Sequence, residues 1–141
     1  MESVAQHLIW FLPMLWLGMV LAISFLEAPL KFRAPGITVP LGLGIGRLVF
    51  RALNIVESVL AALLVVAFPV LGPSGASWVW LGIAATILAV QILVVRPPLS
   101  RRSDRVLAGE DMPRSHAHLW YVGLEVVKVV VLVGLAIVVS P

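Results

Sequence analysis

Four long apolar stretches limit what this chain can fold into. Crossing the hydrocarbon core of a bilayer takes about 20 mostly apolar residues, and each stretch is close to or above that length. We predict membrane spans at residues 8–28, 43–71, 77–95 and 117–139, all of them helices, because a helix satisfies its backbone polar groups within one segment. The predicted fold is all-α: a single polytopic four-helix membrane bundle over residues 1–141.

The amino-acid composition also indicates a membrane protein. Of the 141 residues 61% are hydrophobic and 12% are charged, with a mean hydropathy of +1.09. Soluble domains carry about 25% charged residues, so an ordinary soluble enzyme, a nucleic-acid-binding module and a disordered protein are excluded. The chain has no cysteine, which excludes disulfides, thiol catalysis and Cys-ligated metals. No cofactor and no nucleic-acid partner are predicted.

The basic residues predict an orientation. All but one of the 10 Lys and Arg residues lie in or beside two predicted loops, residues 29–42 and 96–115, which four alternating spans put on the same side. The positive-inside rule makes that side cytoplasmic, so both termini are expected on the non-cytoplasmic side. We expect an integral protein of a bacterial plasma membrane, with its basic loops against anionic lipid.

Polar residues recur at helical spacing on two of the spans. The second span carries Arg47, Arg51, Asn54 and Ser58, with Glu57 at the edge of this stripe, and the fourth carries His118, Tyr121, Glu125 and Lys128. Residues three and four apart share one face of a helix. Both stripes lie in the cytoplasmic half, where Glu27 and Gln91 end the other two spans. This convergence predicts a polar cavity open to the cytoplasm, with ligand-binding candidates Arg47, Arg51, Asn54, Glu27, Gln91 and Trp16.

A glycine-rich run opens the second predicted span. Residues 42–47 read Gly-Leu-Gly-Ile-Gly-Arg, and glycines at a helix N-terminus allow backbone N–H groups to approach an anion. With Arg47 and Arg51 this segment could hold a phosphate or carboxylate. The alternative is that the glycines only permit tight packing.

The buried charges also have two interpretations. Glu125 could neutralise Lys128, Glu57 could pair with Lys128 or Arg51, and Glu27 could pair with Arg47, which would give a static network. A charge at mid-span costs at least about 2.5–3.5 kcal/mol on insertion scales, and a purely structural role could use Ser, Thr or Asn instead. We therefore favour a functional role for Glu57, Glu125 and Lys128.

Metal binding has weaker support. His116 and His118 could ligate a metal, and Met14 and Met19 are soft ligands. The two methionines are about 140° apart around a helix, and imidazoles are stable at a membrane interface without a metal. No metal site is predicted, with His116 and His118 as the only candidates.

Several short motifs resemble a known group. They are Trp16-Leu17-Gly18, the run from Phe25 through Pro29 to Phe32, Gly46-Arg47-Leu48-Val49-Phe50, Arg96-Pro97, and a histidine (His116 or His118) opening the fourth span. They resemble the small four-helix membrane domains related to transmembrane protein 205 and, more distantly, the copper-resistance D proteins. The resemblance implies a four-helix bundle linked to metal or toxic-compound handling. Glu57, Glu125 and Lys128 do not map onto that pattern, and the chain lacks a Cys or Met-rich copper motif, which argues against a copper function.

Three functions remain open. The first is binding or translocation of a small ion or solute, for which a homodimer through Gly82, Ala85 and Ala89 could complete a path. The second is an intramembrane acid–base enzyme of isomerase, cyclase or hydrolase type acting on an isoprenoid- or sterol-like molecule. In that enzyme Glu57 or Glu125 is the general acid, and Lys128, Tyr121 or His118 orients it or accepts the proton. The third is an accessory subunit that docks a larger membrane protein through its basic third loop.

Overall fold

A computed structural model describes residues 1–110 and 116–141, and every regular element in it is helical. Four helices are long and apolar enough to cross a membrane, which confirms the predicted all-α class and the four candidate spans. They are α1 (Glu2–Lys31), α2 (Val39–Leu71), α3 (Gly75–Leu107) and α4 (His116–Val139). Two of them contain π-helical segments, Leu21–Glu27 in α1 and Gln91–Val95 in α3.

Local chemistry explains where α2 begins and ends. The hydroxyl of Thr38 caps its N-terminus by accepting from the Leu41 N–H at 3.2 Å, and Pro40 lies in the first turn, where a missing N–H costs nothing. Gly72 ends the helix in the left-handed conformation, at φ 56°, which glycine adopts without strain. Ser74 then caps α3, so the short predicted turn between the second and third spans is confirmed.

The two basic loops are shorter than predicted. We expected a loop over residues 29–42, but α1 continues to Lys31 and α2 already begins at Val39. We also expected a loop over residues 96–115, but Arg96–Leu107 is helical. Pro97 and Pro98 do not end the helix; they directly follow the π-helical segment Gln91–Val95, and local π-helical adjustment is one way in which membrane helices accommodate proline.

The four helices form a ring in chain order. Helix α1 packs against α2 and α4, while α3 packs against α4 and α2. One half of the bundle has an apolar core that includes Leu12, Leu64, Phe68, Leu81 and Leu135, each at most 8% exposed. The outside is apolar too, as large side chains such as Leu48, Val66 and Leu93 are more than 70% exposed. Such an exterior suits contact with lipid.

One close helix contact depends on a glycine. A Cβ added at Gly134 of α4 would lie 2.7 Å from a ring carbon of Trp80 on α3. Real Cβ atoms do not approach that closely, so the indole would have to move.

We predict that Gly134→Ala lowers the free energy of unfolding in bicelles by about 1–3 kcal/mol, the usual cost of overpacking. Gly123→Ala is the matched control on the same helix, since a Cβ there meets nothing within 4 Å. The control should unfold like the wild type or gain up to about 1 kcal/mol. Equal stability of both variants would contradict the packing described.

Candidate functional site

Lys128 lies at the centre of a buried ionic network. Its Nζ is 2.7 Å from Glu57 Oε1 and 2.6 Å from Glu125 Oε1, and it donates to Gln91 Oε1 at 2.8 Å. The side chains of Lys128 and Glu57 are fully buried and that of Glu125 is 2% exposed. The ammonium is thus surrounded by three oxygens, one each from α2, α3 and α4.

Glu57 is held by neighbours on two helices. The indole Nε1 of Trp16 donates to Glu57 Oε1 at 3.1 Å, which joins α1 to the network. The Asn54 amide is assigned with its nitrogen toward Glu57 Oε2, at 3.2 Å, since the opposite orientation sets oxygen against oxygen. Both Glu57 oxygens therefore accept from N–H donors.

Asn54 also connects the network to Arg96 and Tyr121. In the same orientation its oxygen accepts from Arg96 Nη1 at 2.8 Å. In this orientation the Tyr121 hydroxyl lies 3.3 Å from the amide nitrogen of Asn54. The Tyr121 ring meets the Phe50 ring edge to face, with the two ring centroids 5.7 Å apart. Arg96 thus contacts an amide in place of a carboxylate.

Glu125 is satisfied less completely than Glu57. Its Oε2 accepts from the Ser24 hydroxyl at 3.0 Å. Its Oε1 makes no hydrogen bond of normal geometry, although it lies beside the Lys128 ammonium. Ser24 and Gln91 both belong to π-helical segments, which are frequent at functional sites because their wider turns redirect side chains.

A cavity of about 500 Å³ adjoins this network. The basic part of its lining, here called the rim, consists of Lys31, Arg47, Arg96 and Arg102, together with His118. Its walls are mainly apolar and include Phe25, Phe32, Leu43, Phe50, Leu99 and Val122. Ser24, Tyr121 and Glu125 lie where the cavity meets the network. This size and lining are typical of sites that hold a small molecule.

The rim cations have their own partners. Arg47 forms an ion pair with Asp104, and Arg96 also donates to the Arg47 carbonyl at 3.1 Å. Lys31 Nζ is 3.9 Å from Glu27 Oε2 and 5.5 Å from the centroid of the Phe32 ring. The expected pairing of Glu27 with Arg47 is therefore wrong, because Asp104 of the unexpected helical extension reaches Arg47.

The glycine run does not form an anion site at a helix terminus. Helix α2 begins at Val39, and the Gly42 N–H already donates to the Thr38 carbonyl within the helix. A Cβ at Gly42 would collide with the Phe32 ring, and one at Gly46 would lie 2.7 Å from Lys31 Nζ. The glycines therefore allow the end of α1 to pack closely against α2.

The structure brings most of the predicted site residues together. Glu57, Glu125, Lys128, Asn54, Gln91, Trp16 and Tyr121 are in the network, and Arg47 and His118 line the cavity. Arg51 and Ser58 are exposed, because the buried face of α2 runs through Leu53, Asn54 and Glu57. Glu27 is half-buried outside the cavity wall. The side chain of His116 and the loop residue Arg114 lie outside the described residues.

Two members of the site were missed or given a different role. Trp16 was predicted as a ligand-binding residue, whereas its indole N–H donates to Glu57 within the network. Ser24 was not predicted, although it is a hydroxyl inside an otherwise apolar first span. Among the residues that the structure describes, no group of three or more His, Asp or Glu is placed to hold a metal ion.

No protein-family model, curated protein or solved structure is significantly similar to this chain. The functional argument therefore depends on the geometry of the network and the cavity.

We predict that Lys128→Met lowers the free energy of unfolding in bicelles by about 3–5 kcal/mol, because it leaves two buried carboxylates without their shared cation. Lys31→Met is the control: the other lysine of the chain has a longer ion pair, at 3.9 Å, with a carboxylate whose side chain is 36% exposed, and pairs open to solvent contribute about 0–1 kcal/mol. Adding Glu57→Gln and Glu125→Gln to Lys128→Met should recover much of the loss. An equal cost for the two lysine variants would contradict a network held together by Lys128.

Proposed function

We propose that this chain is an integral membrane protein that binds a small amphipathic anion in the cavity, from the side that carries its basic residues. The observation that carries this proposal is the cavity of about 500 Å³, with apolar walls and four cationic side chains on its lining. The resemblance to membrane domains that handle toxic compounds is compatible with it.

The rim favours an anionic group. Lys31, Arg47, Arg96 and Arg102 all line the cavity, so four cationic groups are within reach of a bound solute. Arginine binds carboxylate and phosphate oxygens through a planar fork of donors. A negatively charged head group would therefore gain charge-assisted hydrogen bonds at this position.

The walls favour an apolar body behind that head group. Phe25, Phe32, Phe50 and Leu99 provide aromatic and aliphatic surface in the same cavity. Burying such surface against a hydrocarbon chain contributes roughly 25 cal/mol per Å². A simple inorganic anion would leave this surface unused.

The opposite half of the bundle supports binding from one side. Apart from Ser77, the buried side chains described in that half are apolar, so they provide no polar path for an ion. The positive-inside rule makes the basic side cytoplasmic, and four spans put both termini on the other side. Binding without passage is therefore the simpler proposal.

We predict that the protein in nanodiscs of zwitterionic lipid binds decyl phosphate, and binds decanol and decyltrimethylammonium at least about tenfold more weakly. The Arg47→Gln/Arg102→Gln variant should lose at least about tenfold in affinity, which corresponds to 1.4 kcal/mol. Native mass spectrometry of the released complexes measures both.

The matched control is Arg51→Gln/Arg101→Gln. It removes the same charge from the same two helices, at positions outside the cavity lining. Affinity for decyl phosphate should be unchanged in this control. If both double variants lost the same affinity for decyl phosphate, the loss would be due to the overall surface charge. That result would contradict binding in the cavity.

Acid–base catalysis on a lipid-like substrate is the second candidate, because Glu125 and Tyr121 line the same cavity that would hold the substrate. Lipid extracts of cells producing the wild type are compared with extracts of cells producing Glu125→Gln at equal protein levels. A lipid species that depends on Glu125 would support catalysis, and identical extracts would contradict it.

A further inference from the structure

We propose that the Glu57–Lys128–Glu125 cluster binds one exchangeable proton, held on Glu125 and reached from the cavity. This proton site does not depend on the proposed anion binding, since it is complete without a bound solute. It would give the protein a protonatable group inside the membrane, next to a cavity that leads to the basic surface.

The first argument is charge balance. Two carboxylates share one ammonium, at 2.7 and 2.6 Å, with all three side chains buried. Fully ionised, the cluster would carry a net negative charge inside the bilayer, which is strongly unfavourable. Two carboxylates that share one site do not both ionise readily, and a single added proton makes the cluster neutral.

The second argument places the proton on Glu125. Glu57 accepts from the Trp16 indole and the Asn54 amide in addition to its contact with Lys128, so N–H donors stabilise its ionised form. Among the residues that the structure describes, Glu125 has only the Ser24 hydroxyl as a partner besides Lys128. A hydroxyl can also accept, so a proton on Glu125 Oε2 can be donated to Ser24 Oγ after the hydroxyl turns.

The other charged groups around the cluster do not change its net charge. On α2, Arg51 is exposed and Arg47 is paired with Asp104. On α3, Arg96 contacts the Asn54 amide and the Arg47 carbonyl. On α4, His118 lies near the rim and the Tyr121 hydroxyl contacts Asn54. On α1, Glu27 contacts Lys31. None of these contacts joins a second cation to either carboxylate.

Glu125 is also the member of the cluster that can exchange the proton. Its side chain lines the cavity, whereas Glu57 and Lys128 do not. Protonation takes a proton from water in the cavity and forms an O–H bond on Glu125. Release breaks that bond and returns the proton to the same water.

Infrared spectroscopy tests the proposal directly. The purified protein is measured in a maltoside detergent, which has no carbonyl group, between about pH 5 and pH 9, where exposed Asp and Glu are ionised. We expect the C=O band of a protonated carboxyl group at neutral pH and its shift to lower frequency in D₂O. Absence of that band in the wild type, or failure to shift after prolonged exchange, overturns the proposal without any variant.

Variants then locate the proton. Glu125→Gln and Glu57→Gln should each abolish the band, because one carboxylate then pairs with one ammonium, whereas Lys128→Gln should increase it. Glu27→Gln is the matched control, since Glu27 also has a buried oxygen without a hydrogen-bond partner, and its band should match the wild type. Survival of the band in Glu57→Gln would overturn the argument that the two carboxylates share one charge. Loss of the band in Glu27→Gln would show that the proton lies on Glu27, and this would overturn the proposal.

A second pair of variants separates Glu125 from Glu57 as the carrier. Ser24→Ala removes the partner of Glu125 and should shift the frequency of the band. Trp16→Phe removes a partner of Glu57 and should leave the frequency unchanged. The reverse result would place the proton on Glu57 and overturn the assignment.

Discussion

Burial of one ammonium fixes the register of the bundle. Lys128 lies beside oxygens from α2, α3 and α4, and Glu57 extends the network to α1 through Trp16. Removing one partner of a buried ion pair is far more costly than replacing the whole pair with apolar residues. Each helix must therefore keep the rotation and depth that bring its polar group to the same point.

The network also separates two halves with different properties. On one side of it the helices bury apolar side chains and Ser77. On the other side lies the cavity, where Arg47, Arg96 and Lys31 contact neighbouring polar groups. The π-helical segments contribute Ser24 and Gln91 to the network. The polar site thus lies between the apolar core and the cavity.

Much of this arrangement was predictable from the sequence, because hydropathy and helical spacing depend on local residues. The four spans and the convergence of Glu57, Glu125 and Lys128 followed from those patterns. The pairing of Arg47 with Asp104 did not, because two prolines and a run of arginines indicated a loop where α3 in fact continues. Exposure of Arg51 was also missed, since the neighbouring helices decide which edge of a polar stripe faces inward. The resemblance to transmembrane protein 205-like domains remains a prediction based on motifs.

The length of α3 has a mechanical consequence. Its 33 residues extend for about 50 Å at 1.5 Å per residue, whereas the hydrocarbon core is about 30 Å thick. The surplus must project beyond the core or be taken up by tilt, and the projecting end contributes Leu99 and Arg102 to the cavity wall. A bilayer of different thickness that tilts α3 relative to its neighbours would therefore move this wall of the cavity. We expect the width of the cavity to depend in this way on the thickness of the surrounding lipid.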